Sequence, residues 1–214
     1  MAYTAQNIID AALLLLEDTE QNRFTSNILL TFINEGVTNI IKDVPNANVV
    51  YSVKALVDGP MQTLDSKNLY LLDVMYNTNA TGTVQGKIPL RTQKATLDFS
   101  NPTWTQSLKR AYAQYYTYDS ENTRVFFVYP PNDGTGYVYL KTADIPTAIT
   151  VATNTIPLRD EHEQPLIYYV VMKAYMMDTD TANIDKVQLY QSLYNTTMGL
   201  YKQATAKEDA KNAG

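Results

Sequence analysis

The sequence predicts an α+β protein: a four-helix bundle, made of two N-terminal and two C-terminal helices, with an antiparallel β region inserted between them. Three observations lead there. Apolar residues recur at helical spacing in residues 1–47 and again in 157–206. Residues 48–156 change to alternating, β-branched and tyrosine-rich runs broken by Pro, Gly, Asn and Asp. Two amphipathic helices at each end bury their stripes better as a group of four than as separate pairs.

Each element has its own cause. Thr4 can cap a first helix over about 5–19, with Ile8, Ala12, Leu15 and Leu16 on one side. The first twenty residues hold four acids and no Lys or Arg. A second helix over 26–43 carries the stripe Leu29, Phe32, Ile33, Gly36, Val37, Ile40 and Ile41. Gly36 within that stripe marks the close approach of another helix. Lys42 suits the negative end of the helix dipole, and Pro45 stops the helix.

Strands are expected over 49–57, 62–64 and 69–76, with Asp58-Gly59-Pro60 as a turn. In the third, Leu69, Leu71 and Asp73 oppose Tyr70, Leu72 and Val74. Residues 77–86 read as a flexible loop, 87–91 as a strand, and 93–99 as a turn or two of helix ended at Asn101-Pro102. Strands over 113–118 and 124–129 flank a turn at 119–123. A strand over 137–142 is expected to pair with 124–129 across 130–136, where Asn132-Asp133-Gly134 is a hairpin signal. Residues 146–156 are extended. A third helix from Asp160 buries Ile167, Val170, Val171, Ala174 and Met177. After a polar stretch at 178–183, a fourth over 184–206 aligns Val187, Tyr190, Tyr194, Met198 and Tyr201. Residues 207–214, KEDAKNAG, have no apolar stripe and are expected to be a flexible C-terminal tail.

Composition narrows the function classes. The chain has 214 residues, 45% of them hydrophobic, enough for a sizeable core. It has no cysteine, which excludes disulfides, thiolate zinc sites and a thiol nucleophile. The apolar run at 11–16 lacks the basic flank of a signal peptide, and no run approaches the ~18 apolar residues of a membrane span. A net charge of -5 disfavours sequence-specific DNA binding and does not exclude surrounding DNA loosely. Seventeen tyrosines suit both strands and surfaces buried on assembly.

No catalytic signature emerges. Asp160-Glu161-His162-Glu163 clusters four titratable groups, but His162 is the one histidine and HExxH is absent. Carboxylates at a helix start have a sufficient structural cause. Asp178-Thr179-Asp180 opens like a calcium loop, yet Ala182, Asn183 and Leu189 stand where a ligand, a glycine and a glutamate are needed. No phosphate-binding glycine loop occurs. Lys109-Arg110, flanked by Tyr112, Tyr115 and Tyr116, reads as a solvated strand edge. A hydrolase using Asp160 and Glu163 is the weakest reading. A stronger alternative is a tail-associated glycan- or receptor-binding module, with Tyr115, Tyr116, Tyr118, Tyr137 and Tyr139 stacking on sugars.

Six pieces come in a distinctive order: LLDVMYN at 71–77, GKIPLR at 86–91, LD at 97–98, NPTW at 101–104, VFFVYPP at 125–131 and YYVVMKAYMMDTD at 168–180. With the helix INEGVTNIIKDVPNA at 33–47, they make the chain resemble the bacteriophage head-to-tail adaptor (connector) proteins of short-tailed phages. The likeness covers about residues 1–205. The acidic first helix and the closing tail depart from the pattern. The resemblance implies a non-enzymatic virion protein, without metal or cofactor, assembled in the host cytoplasm. It implies a ring, usually dodecameric, docked below the portal protein, extending the DNA channel and offering a platform for the tail nozzle and, in some phages, tail fibres. On family architecture and loop exposure, Tyr194, Tyr201, Lys202, Lys207 and Lys211 are expected near the portal. Asn79, Thr83, Asn132, Asp133 and Gly134 are expected toward the tail.

Overall fold

The computed structural model describes residues 3–119, 122–177 and 184–212, the residues from 204 on by their backbone. The fold is α+β, and the chain divides into two compact units. Met1–Asn48 and Pro146–Gly214 form a helical unit, and Val49–Ile145 form a β unit.

In the helical unit, α1 (Ala5–Leu15) starts at Thr4 with a reciprocal cap: Asn7 N–H donates to Thr4 Oγ1, and Thr4 N–H donates to Asn7 Oδ1. It ends earlier than Thr19. Leu16 and Asp18 N–H groups turn back onto the helix, Glu17 takes a positive φ, and the Asp18 carboxylate receives the N–H groups of Asn22, Arg23 and Phe24. Its buried face is Ala5, Ile8, Ile9, Ala12 and Leu13; Leu15, expected inside, is exposed. α2 (Ser26–Asp43) buries its expected stripe plus Leu30, with Phe32 only half-buried. A Cβ on Gly36 would come 2.6 Å from Leu166 Cδ1 and 2.8 Å from Tyr169 Cδ1, so the glycine does admit another helix.

That helix is α4 (Glu163–Met177), preceded by a short 3₁₀ turn at Asp160–His162. It packs against α1, α2 and α5 (Ile184–Asn212), and α2 also touches α1 and α5. With three neighbours α4 buries residues on several sides, from Pro165 to Tyr175, while Met177, expected inside, is exposed. α5 continues through Asn212, past Ala206, where the helix was expected to end and a tail over 207–214 to follow. No Gly or Pro interrupts 200–212, and Ala, Lys and Glu there favour helix. The polar stretch 178–183, with Asp178-Thr179-Asp180, lies outside the described residues. Residues 146–156 belong to the helical unit: Ala5 and Gln6 N–H donate to Asn154 and Ala152 carbonyls, and Asn34 exchanges hydrogen bonds with Ile149.

The β unit holds two sheets. Strands β1 (Val49–Ala55), β7 (Tyr137–Asp144) and β3 (Asn68–Thr78) form an antiparallel sheet in the order β1-β7-β3. The other runs β2 (Gly59–Thr63), β6 (Val125–Asn132), β5 (Tyr115–Tyr118) and β4 (Leu90–Arg91), with β4 parallel to β5. Leu71, Val74, Val138 and Leu140 from the first meet Tyr116, Phe126 and Val128 from the second in one core.

Two expectations fail here for physical reasons. β3 does not alternate: it buries every third residue, Asn68, Leu71, Val74 and Asn77. Its register against β7 shifts three times, and each bulge inserts a residue that resets which face points inward. Nor do β6 and β7 form a hairpin; they lie in different sheets. Pro130 and Pro131 have no N–H to give a ladder. Asn132 instead takes the N–H groups of Gly134 and Gly136 on its Oδ1 and donates through Nδ2 to the Arg110 carbonyl, closing a turn that carries the chain from one sheet to the other. The short helix α3 (Lys94–Ser100) ends at Asn101, and Asp98 on it accepts the indole N–H of Trp104 at 2.8 Å. Trp104 lies edge-on to Phe127 and Tyr129, covering the face of β6 opposite the core.

Candidate functional site

The stripe along α5, which includes Tyr194 and Tyr201 of the residues expected near a portal, packs toward α4. Tyr190 lies between Tyr168 and Tyr175, with ring centres 6.1 and 5.9 Å away, and Tyr194 lies 5.6 Å from Tyr169. Tyr194 is only 8% exposed, and its hydroxyl has no hydrogen-bond partner. Burial pushes its pKa well above the usual phenol range. Tyr194 is thus a packing residue and not an open contact. Tyr201 is half-buried. Its hydroxyl donates to the Glu161 carbonyl at 2.6 Å, and its ring stands edge-on to His162 at 4.9 Å. Lys202 is exposed and reaches Asp43 of α2 at 3.2 Å. These contacts fasten the first half of α5 to α2 and to the start of α4. Lys207 and Lys211 sit on its last turns, with side chains outside the described residues.

The two loops of the β unit are built, not slack. Asn79 Oδ1 accepts the N–H groups of Thr83 and Val84, and its Nδ2 donates to Thr83 Oγ1 at 3.0 Å. Gly82, at φ 73°, lets the loop sit where a Cβ would run into Val53. Asn79 and Thr83 therefore hold the loop's shape, and Thr83 is also exposed. In the other turn Asp133 and Gly134 are exposed but Asn132 is fully buried, so the turn presents Asp133-Gly134 and not Asn132. The Asp133 carboxylate receives Thr135 Oγ1–H and N–H, which holds its pKa below the usual carboxylate value.

Sequence reasoning missed the residues that make these loops possible. Asn77 is buried and bonds three backbone groups: Ala113 N–H on Oδ1, and the Lys87 and Ala113 carbonyls from Nδ2. Gln62, also fully buried, spans the turn at Val57 and Gly59 in the same way. A polar amide inside a strand gives no local signal of this role.

Chemistry at the 160–163 cluster has no support in the geometry. His162 is buried at the 3₁₀ turn with both ring nitrogens lacking a hydrogen bond; Glu161 stands 3.7 Å away, too far to bond. Burial lowers its pKa. Among the described residues no group of His, Asp and Glu side chains is arranged to hold a metal, and no helix is long and apolar enough to cross a membrane. An open depression of about 490 Å³ beside α2 is lined by Asn34, Glu35, Thr38, Asn39, Lys42 and Tyr169; Glu35 is paired with Lys173 and the Tyr169 hydroxyl takes the Asn39 amide. The tyrosines proposed for sugar stacking split between the two sheets. Of these, Tyr139 on β7 stacks between Tyr76 of β3 and Tyr51 of β1, with centres 5.0 and 6.3 Å away, so both faces of its ring are already covered.

One comparison decides the class. The model of the SU10 adaptor protein family matches residues 3–213. The chain belongs to the SU10 adaptor protein family. No curated protein matches it. Family membership makes it a structural adaptor of a bacteriophage virion, associated with portal and tail components. Within this adaptor, the match runs across both the helical and the β unit.

Proposed function

We propose that the chain is a head-to-tail adaptor that forms a ring, dodecameric as the resemblance implies, below the portal. The ring prolongs the DNA channel and gives the tail nozzle, and fibres where present, a platform. The observation that carries this is the adaptor family match over nearly the whole chain, across both units. In this reading the four long helices form a bundle that makes the ring body. The β unit faces the tail through Thr83 and the Asp133-Gly134 turn. The end of α5, with Lys207 and Lys211, reaches the portal, because the Tyr190–Tyr201 part is already committed to α4. The helical unit holds fourteen Asp and Glu against eight Lys and Arg, which suits a wall that DNA passes without sequence-specific binding. The protein works by binding geometry, without catalysis or cofactor, and assembles in the host cytoplasm.

The test is its mass, alone and mixed with the portal protein of the same phage, by light scattering and electron microscopy. A stoichiometric ring on the portal is expected. A chain that stays monomeric and ignores the portal overturns the proposal. Deleting residues 203–214 is expected to weaken portal docking while circular dichroism stays otherwise native; unchanged docking removes the portal assignment of that end.

A further inference from the structure

Two exposed apolar patches on this chain differ in charge. The first is the β4 edge of the second sheet. Leu90, 61% exposed, lies directly opposite Tyr115 in the parallel register, and Ile88 precedes it, also 61% exposed. Lys87 and Arg91 flank them, seated over the rings of Tyr112 and Tyr118 at 5.9 and 4.5 Å; neither has a carboxylate partner among the described residues. Leu90 and Thr92 N–H groups point inward to Gln114 and Tyr116 carbonyls, so the outward backbone positions are Pro89, which has no N–H, and Arg91. With one outward N–H on a two-residue strand, the edge is a poor template for an added strand, and its side chains make the surface.

The second patch lies where α1 ends. Leu14 is 69% exposed, and Leu15 beside it is exposed as well. Tyr175 donates to the Leu15 carbonyl at 3.3 Å and takes Lys186 Nζ at 3.3 Å, so the end of α4, with exposed Met176 and Met177, and Lys186 of α5 lie beside the end of α1. Glu17 and Glu20 are exposed just beyond, in a segment without any Lys or Arg up to residue 20.

We infer that the β4 edge of one copy docks on the α1 end of the next. Each patch exposes large apolar side chains, and their net charges are opposite: Lys87 and Arg91 beside Leu90, and Glu17 and Glu20 against the single Lys186 beside Leu14. A contact between two different patches of identical chains is heterologous, and repeated it closes a ring or runs on as a filament. The inference rests on the adaptor reading only in taking copies of the chain as the occupant.

The chain has no cysteine, so engineered ones report cleanly. Leu90→Cys and Leu14→Cys are made separately, mixed at high protein concentration, alone and on the portal, and oxidised. A covalent dimer is expected from the mixture and not from either variant by itself. In the double variant a ladder of multimers is expected. Reversing charge with Lys87→Glu and Arg91→Glu is expected to abolish the ladder in a Leu14→Cys, Leu90→Cys background, and adding Glu17→Lys and Glu20→Lys to restore it. Dimers from Leu90→Cys alone, or a bond formed within one chain, overturn the inference. So does the absence of the mixed dimer in rings that do form on the portal, and in that case the adaptor reading stands. Failure to meet the portal at all removes the adaptor reading; the mixed dimer still decides the contact.

Discussion

The helical unit and the β unit solve burial in opposite ways. The helical unit buries apolar stripes and, with the exception of Asp18, leaves buried polar atoms unpaired: Tyr3 and Tyr194 hydroxyls and both His162 nitrogens have no hydrogen-bond partner, against Arg124 Nε in the β unit. The β unit buries amides and makes them its joints: Gln62, Asn68, Asn77 and Asn132 each bond backbone or side-chain groups far along the chain or across a turn. Its charge differs too, with nine Lys and Arg against eight Asp and Glu, where the helical unit is strongly acidic. Helices satisfy their own backbone, so a bundle needs only apolar faces. Bulged strands and sheet-crossing turns leave N–H and C=O groups that something else must pair.

The contrast can be broken by measurement. Asn77→Ala leaves the Ala113 N–H and carbonyl short of their partner, while the Lys87 carbonyl keeps the residue 77 N–H, and should cost about 4 kcal/mol in denaturant unfolding. A loss under about 1 kcal/mol would mean that water replaces the amide and that the β unit does not depend on it. In the helical unit Ile33→Ala removes a fully buried side chain and should cost about 3 kcal/mol. The sharper test in that unit is pH. His162 resists protonation when folded, so the unfolded chain binds the extra proton. Its share of stability is fully present above the unfolded value near 6.5 and is lost as pH falls below it toward the lower folded value. His162→Phe should flatten that slope. Asp18, held low by the N–H groups of Phe24, Arg23 and Asn22, acts in a separate window: its share is present above 3.8 and lost as pH falls through its still lower folded value. Smallest of all, Tyr194→Phe removes an unpaired buried hydroxyl and should raise stability by about 1 kcal/mol or less. A clear loss there would reveal a partner for that oxygen and weaken the contrast.

The same difference decides what the sequence could show. α2 was legible because its stripe depends only on helix geometry, and Gly36 stood out within it. β3 was not: a period of three arises from bulges set by its partner strand, and nothing in LYLLDVMYN announces them. Asn132-Asp133-Gly134 spelled a turn correctly, but the same letters serve a hairpin and a crossing between sheets, and the buried Asn132 side chain decides between them. Burial of Tyr194 could not be read from the sequence, because a tyrosine at helical spacing looks alike whether it faces a neighbour in the same chain or in another. Exposure of Thr83 and Asp133 could be, because loop chemistry alone puts them outside.

Trp104 is the one tryptophan of the chain, 1% exposed between α3 and the outer face of β6. All of the intrinsic indole emission therefore comes from the β unit, while the helical unit dominates the far-ultraviolet dichroism. One unlabelled sample thus carries two separate optical clocks. If emission shifts at a lower temperature or denaturant concentration than ellipticity, the units come apart one at a time; if the two curves coincide, the adaptor unfolds as a single cooperative body.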